Sequence, residues 1–238
     1  MNTFCPTNKT IFISFSGIDG SGKSTQIEAL CARLRNTNYS VQVIRFWDDV
    51  ATLTQMREAA GHRIFRGDKG IGTPSAPINR RDKNVKSVFM TCVRLVIYLF
   101  DAISVRKIVE RALCSEFDLV IFDRYTYDEL ANLSLHNPFI RAYARFIMKL
   151  TPKPHISFLL DADPLQARAR KPEYPIEFLC FNRQSYLTLS VLAGGMTVIP
   201  TMSVKEAERK ILLHILKTLS SHPSLKLSED LKAFSKSA

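Results

Sequence analysis

The chain has 238 residues, 46% of them hydrophobic, and a formal net charge of +11, enough for one sizeable domain with a buried core. No uninterrupted apolar run approaches the roughly 18 residues of a membrane span, and Met1 to Thr10 is polar with no apolar signal stretch, so a cytoplasmic protein without a membrane partner is expected. The five cysteines (Cys5, Cys31, Cys92, Cys114, Cys180) form no CxxC pair, which argues against a disulfide frame or a cysteine zinc site and reads as reduced thiols.

In chain order, a polar extension (residues 1–10) leads into Ile11 to Ser16, a short β-favouring run, and a glycine-rich turn follows at once. Lys23 to Arg35 then places Ile27, Leu30, Cys31 and Leu34 at helical spacing. Val41 to Phe46 reads as a second strand. Residues 61–84 form a basic insertion rich in Gly, Pro and charge, long for a loop. Arg57 to Lys86 holds eight Lys/Arg against three acids, a net +5, and reads either as a solvated loop or as a surface facing an anionic substrate. Val85 to Cys114 is predicted helical. Asp118 to Asp123 is a third strand, Tyr127 to Leu150 a helix, His155 to Leu160 a fourth strand, Ile176 to Leu192 a helix, Met196 to Ile199 a fifth strand and Val204 to Leu219 a last helix. The strands show little alternation, as expected when both faces are buried in a parallel sheet. Strand–helix alternation of this kind predicts an α/β fold, three layers α/β/α around a mainly parallel five-stranded sheet, over residues 11–219, with a polar tail at 220–238.

Gly17-Ile18-Asp19-Gly20-Ser21-Gly22-Lys23-Ser24 satisfies G-x-x-x-x-G-K-[ST]. The glycines let successive backbone N–H groups curl inward around phosphates, and the helix that follows adds its N-terminal dipole. Lys23 is placed for the β- and γ-phosphates and the Ser24 hydroxyl for Mg²⁺, with Thr25 completing the ATP-binding stretch. The third strand ends in Asp123-Arg124-Tyr125. In open parallel sheets ligands sit beyond the carboxyl ends of the strands, so Asp123 is expected in the Mg²⁺ shell and Arg124 at the phosphates. The other reading of Asp123 is a cap on the next helix.

Taken together, these segments resemble the thymidylate kinase family of nucleoside monophosphate kinases. The likeness rests on Gly17 to Gln26, on Asp123-Arg124-Tyr125, on Leu159 to Pro164 with the lid and post-lid residues Arg168, Arg170, Phe181, Arg183, Tyr186 and Leu189, and on Arg45-Phe46-Trp47-Asp48-Asp49. The resemblance implies phosphoryl transfer from ATP-Mg²⁺ to a nucleoside monophosphate, most typically dTMP, and a homodimer. It implies that Asp19 contacts the acceptor, that Arg45 and Arg124 hold the acceptor phosphate, and that Arg168 and Arg170 belong to a short lid (about 168–178). It also implies that Phe100 stacks on the base, with Trp47 and Asp128 beside the acceptor. From the residues alone, Trp47 can equally pack where strand meets loop. Phe100, in line with Val93, Val96 and Ile97, can equally be core. Arg168 and Arg170 can equally be a solvated turn.

Four positions depart from the family pattern. Ser104 stands where an Arg usually reads the base, Asp128 where a Ser is usual, Asn132 where a Gln or aromatic is usual, and Ser16 where an acid usually precedes the first P-loop glycine. The acceptor could therefore be another small molecule, such as a nucleoside or a phosphorylated sugar. The net charge alone would also suit a non-catalytic nucleotide binder, though no RNA-binding signature is present and nucleic acid is not expected. His62, His136 and His155 have no metal or triad spacing.

Overall fold

The computed structural model describes residues 10–50, 73–77 and 88–221. Five parallel strands, β1 (Ile11–Ser16), β2 (Val41–Arg45), β3 (Leu119–Asp123), β4 (Ile156–Leu160) and β5 (Met196–Ile199), are ordered β2-β3-β1-β4-β5. The chain leaves central β1 for the sheet edge at β2 and returns through β3, whereas β4 pairs with the other side of β1. That reversal of direction opens a crevice at the carboxyl end of β1, where the glycine-rich turn lies.

Alternation along β1 builds both interior layers. Ile11, Ile13 and Phe15 pack against α1 (Lys23–Asn36) and α7 (Val204–Ser221), meeting Leu30, Leu34, Ile211 and Ile215. Phe12 faces the other way, against Phe122 and Tyr125 and the inner side of α2 (Val88–Leu113). Helices α3 (Thr126–Leu130), α4 (Pro138–Leu150) and α6 (Ile176–Ala193) complete that second layer around Leu130, Ile147 and Leu189. The result is the three-layer α/β/α P-loop kinase fold expected from the strand–helix alternation. Full burial of β1, β3 and β4 except for Asp123 explains their continuous apolar runs.

One expectation is corrected. The single helix over Tyr127 to Leu150 is two helices, because Asn137-Pro138 restarts the chain. Proline before position N2 cannot donate into an upstream turn, and the Asn137 side chain accepts from the Phe139 N–H at 2.8 Å as an N-cap. Arg168 and Arg170 lie on a short helix, α5 (Pro164–Arg170), capped by Asp163, whose Oδ1 accepts from Gln166 N–H at 3.0 Å. Smaller shifts occur at β2, which stops at Arg45 where Phe46–Val50 winds into a π-helical turn. Of the basic insertion, only a tight turn with a Thr73–Ala76 bridge lies among the described residues. The polar extension, and the tail beyond residue 221, lie outside them.

Candidate functional site

The turn after β1 is shaped by glycines at two places where a side chain would collide. Gly17 (φ +146°) brings its Cα so close to β4 that an added Cβ would lie 2.6 Å from the Leu160 carbonyl oxygen. Gly20 (φ +82°) packs on the backbone of α5, where an added Cβ would lie 2.9 Å from the Ala167 carbonyl carbon. Gly22 (φ +91°) is the N-cap of α1, and its carbonyl accepts the first helical bond from Gln26 N–H at 3.1 Å. The turn thus brings its backbone N–H groups and the positive end of α1 to one concavity.

Lys23 lies inside this concavity. Its Nζ donates to the carbonyls of Gly17 (2.7 Å) and Ile18 (2.9 Å) and to Ser21 Oγ (3.3 Å). Burial, and next the Arg124 charge, pull its pKa down to about 8 against the opposing effect of Asp19, Asp128 and Asp123. Ser24 and Thr25 are exposed on the first turn of α1. Asp123 ends β3 directly beside Phe15 of β1 and Arg45 of β2.

Arg124 leaves β3 in the left-handed region (φ +73°). For a residue with a Cβ this conformation costs about 1–3 kcal/mol and marks a position that surrounding contacts over-determine. Its N–H is held by the Phe15 carbonyl (3.0 Å), and its guanidinium pairs with Asp19 through Nη2 and with Asp128 through Nη1 at 3.6 Å. Burial opposes the guanidinium charge, but Asp19 and Asp128 outweigh it and raise its pKa. Lys23, Asp19, Arg124 and Asp128 therefore form one electrostatic group around the glycine turn.

The remaining predicted residues are placed differently. Arg45 is exposed, and its N–H donates to Asp49 Oδ2 at 2.7 Å. Trp47 is half-buried, edge-on to Phe46 with ring centroids 5.4 Å apart. Arg168 and Arg170 are exposed on α5, which touches the turn through Ala167. Phe100 is 55% exposed, so it is not the core residue that its apolar neighbours suggested, and it lies on the outward side of α2 with Val96 and Ile103.

The inward side of α2 carries Arg94, Tyr98 and Asp101, all buried. Sequence reasoning missed these. Tyr143 of α4 donates to the Leu95 carbonyl at 2.5 Å, and burial, then Glu129, Tyr98 and Asp101, push its hydroxyl well above the ordinary tyrosine range. Arg183, quoted above only as part of a motif, clamps Asp161 at the end of β4 with two bonds (Nε to Oδ1 2.5 Å, Nη2 to Oδ2 2.8 Å), fixing α6 to the sheet. His155 has a purely structural part: its Nδ1 accepts from Phe12 N–H at 2.9 Å.

No model of a known protein family matches the chain. It is 26% identical over 212 residues to a probable thymidylate kinase of Archaeoglobus fulgidus, covering 85% of this chain and 94% of that protein. It is 24% identical over 218 residues to a probable thymidylate kinase of Pyrobaculum calidifontis, covering 89% and 98%. Along nearly its whole length, then, the chain is similar to proteins of the thymidylate kinase-like family of P-loop kinases.

Proposed function

We propose that this protein is a P-loop nucleoside monophosphate kinase that moves the γ-phosphoryl group of ATP onto the phosphate of a nucleoside monophosphate, with dTMP as the leading acceptor. One observation carries the reading: buried Lys23 and half-buried Arg124 converge with Asp19 on the glycine turn at the N-terminus of α1. Phosphoryl transfer asks little covalent chemistry of the protein. It asks for fixed positive charge and N–H donors around oxygens that carry spreading negative charge. In this reading the turn from Gly17 to Thr25 holds the ATP phosphates, Lys23 and Arg124 stabilise the transferring group, and Arg168 and Arg170 reach it from α5. Arg45 and Trp47 flank the acceptor.

The residues fit a magnesium ion that arrives with the nucleotide. Among the described residues no cluster of three or more His, Cys, Asp or Glu could cage a metal, whereas the Ser24 hydroxyl on the first turn of α1 and the Asp123 carboxylate at the end of β3 would supply the few oxygen donors that Mg²⁺ takes beside phosphates and water. When bound, the ion neutralises charge on the β- and γ-phosphates. The free thiols of Cys31, Cys92, Cys114 and Cys180 suit a reducing cytoplasm. Purified protein with ATP-Mg²⁺ and a panel of nucleoside monophosphates should release ADP with dTMP or dUMP; no turnover across the panel would overturn the proposal.

A second acceptor class is favoured by the placement of α2. Phe100 faces outward and Ser104 replaces the base-reading Arg, so the pair that would recognise thymine is not built on the inward side. A thermal shift with another anionic acceptor and none with dTMP would select this reading. As to assembly, α2 is long and apolar enough to cross a membrane by length and composition, but Arg94 and Asp101 turn inward and part of its apolar surface turns out. Phe89, Val96, Phe100 and Ile103 are exposed at near-heptad spacing, a seam suited to the homodimer. Sedimentation should give a dimer that Phe100→Glu disperses, and a monomeric parent would refute it.

A further inference from the structure

Beneath the phosphate turn lies a carboxylate whose partners come from three separate elements. Asp128, at the third position of α3, is 3% exposed. Its Oδ2 accepts from Ser16 Oγ at 2.6 Å and from Tyr125 N–H at 3.0 Å, and its Oδ1 accepts from the Tyr186 hydroxyl at 2.7 Å. The bond to Tyr125 N–H caps α3 from within. Ser16 is the last residue of β1, immediately before the glycine turn, and Tyr186 lies on α6. Asp128 thus joins the strand below the phosphates to the helix that follows α5. With both oxygens engaged and almost no exposure, it is enclosed from an acceptor.

The same carboxylate supplies the second anchor of Arg124. Asp19 holds Nη2, and Asp128 lies 3.6 Å from Nη1. A planar guanidinium bonded to one carboxylate can pivot about that contact; the Asp128 charge facing Nη1, beyond hydrogen-bond reach, attracts the second nitrogen and biases the plane toward one orientation. Two departures in the sequence are also joined here. Ser16 stands where an acid is usual and Asp128 where a serine is usual, and in space they are one hydrogen-bonded pair with hydroxyl and carboxylate exchanged.

We propose that Asp128 is the positioning residue for Arg124, and that Ser16 and Asp128 act as one exchanged hydroxyl–carboxylate pair that holds the guanidinium against the phosphate turn. The kinetic half of this proposal rests on the phosphoryl-transfer reading above. Asp128→Asn keeps the shape and the capping oxygen but removes the charge facing Arg124. It should lower kcat about tenfold or more while KM for ATP changes less than about twofold, the pattern of an interaction made mainly in the transition state. In an Arg124→Lys background the same substitution should cost nothing further. An equal loss in both backgrounds would mean that Asp128 acts only through general packing, and would overturn the assignment. Ser16→Glu combined with Asp128→Ser should recover activity relative to Asp128→Ser alone; a folded double variant no better than the single one would overturn the exchanged pair.

A measurement independent of turnover separates this proposal from the functional one. In protein labelled with ¹⁵N-arginine, the Nη–H signals of Arg124, assigned by their loss in Arg124→Lys, should be resolved and slow to exchange in the parent protein and averaged in Asp128→Asn. Averaged signals in the parent protein would overturn the positioning of Arg124 even if the kinase assay succeeds. Resolved signals in a protein that phosphorylates no nucleotide would leave the positioning intact and remove the kinase reading.

Discussion

Gly20 and Gly22 form a controlled pair for testing how the phosphate turn is built. Both have left-handed φ (+82° and +91°), but an added Cβ at Gly22 meets nothing within 4 Å, whereas at Gly20 it drives into the Ala167 backbone of α5. Gly22→Ala therefore carries only the left-handed penalty of about 1–2 kcal/mol, partly offset by about 0.4–1 kcal/mol from a less flexible unfolded chain. Gly20→Ala carries the same terms plus a backbone displacement, which for overpacked sites costs about 1–3 kcal/mol. The difference between the variants should be about 2 kcal/mol. It divides between urea-unfolding stability and ATP-Mg²⁺ affinity according to whether α5 or the turn gives way, and wholly expressed in binding it is about 30-fold in Kd. Urea titration and calorimetric ATP binding on both variants read the two shares. If the summed losses are equal for the two alanines, the close approach of Gly20 to α5 is refuted, and with it the support it gives to the proposal that Arg168 and Arg170 reach the transferring group from α5.

Lys23 should make nucleotide binding pH-dependent: with its pKa lowered to about 8, Kd for ATP-Mg²⁺ should be nearly flat below pH 7 and rise about tenfold per unit well above 8, while Lys23→Arg, which keeps its charge, should stay flat. The stability term runs the other way. The folded pKa lies below the unfolded 10.5, so the unfolded chain binds more protons between those values, and the cost of burying Lys23 is relieved as pH rises from about 8 to 10.5; urea midpoints of the parent and Lys23→Met should converge over that window. At the start of α4, Asn137→Ala should cost about 1 kcal/mol in thermal or urea unfolding and Asn137→Asp a few tenths or less, because aspartate can accept the same Phe139 N–H.

The glycine turn was legible because it is local. The phosphate turn is made of backbone, and the residue types that allow its shape must sit at fixed spacing between one strand and one helix. The five strands were legible because burial on both faces leaves continuous apolar runs. The break between α3 and α4 had a signal in Asn137-Pro138 that a purely periodic reading passes over, and Asp163-Pro164 announced α5 in the same way. By contrast, Asp128 meets Ser16 across 112 positions and Tyr186 across 58. Neither separation leaves a local pattern, so Asp128 read as an acceptor contact rather than as a buried support.

Helix α2 shows why the acceptor side resists a sequence reading. Apolar residues occur on every side of it, so periodicity cannot tell which side faces the sheet. Phe100 and Ser104 invited alignment with a base-reading pair, yet packing turns Arg94, Tyr98, Asp101 and Val105 inward and leaves Phe89, Val96, Phe100 and Ile103 outside. The phase follows from where the polar residues find partners: Arg94 and Asp101 lie two turns apart on one side, and that side meets α3 and α4, where Glu129 and Tyr143 stand. Burying those charges among polar neighbours is tolerable, whereas turning them out and the apolar residues in would strand Glu129. The inward side of this helix thus joins buried polar groups to Ala102, Val105 and Val109, and on the kinase reading proposed above it is this orientation, rather than the glycine turn, that bears on the choice of acceptor.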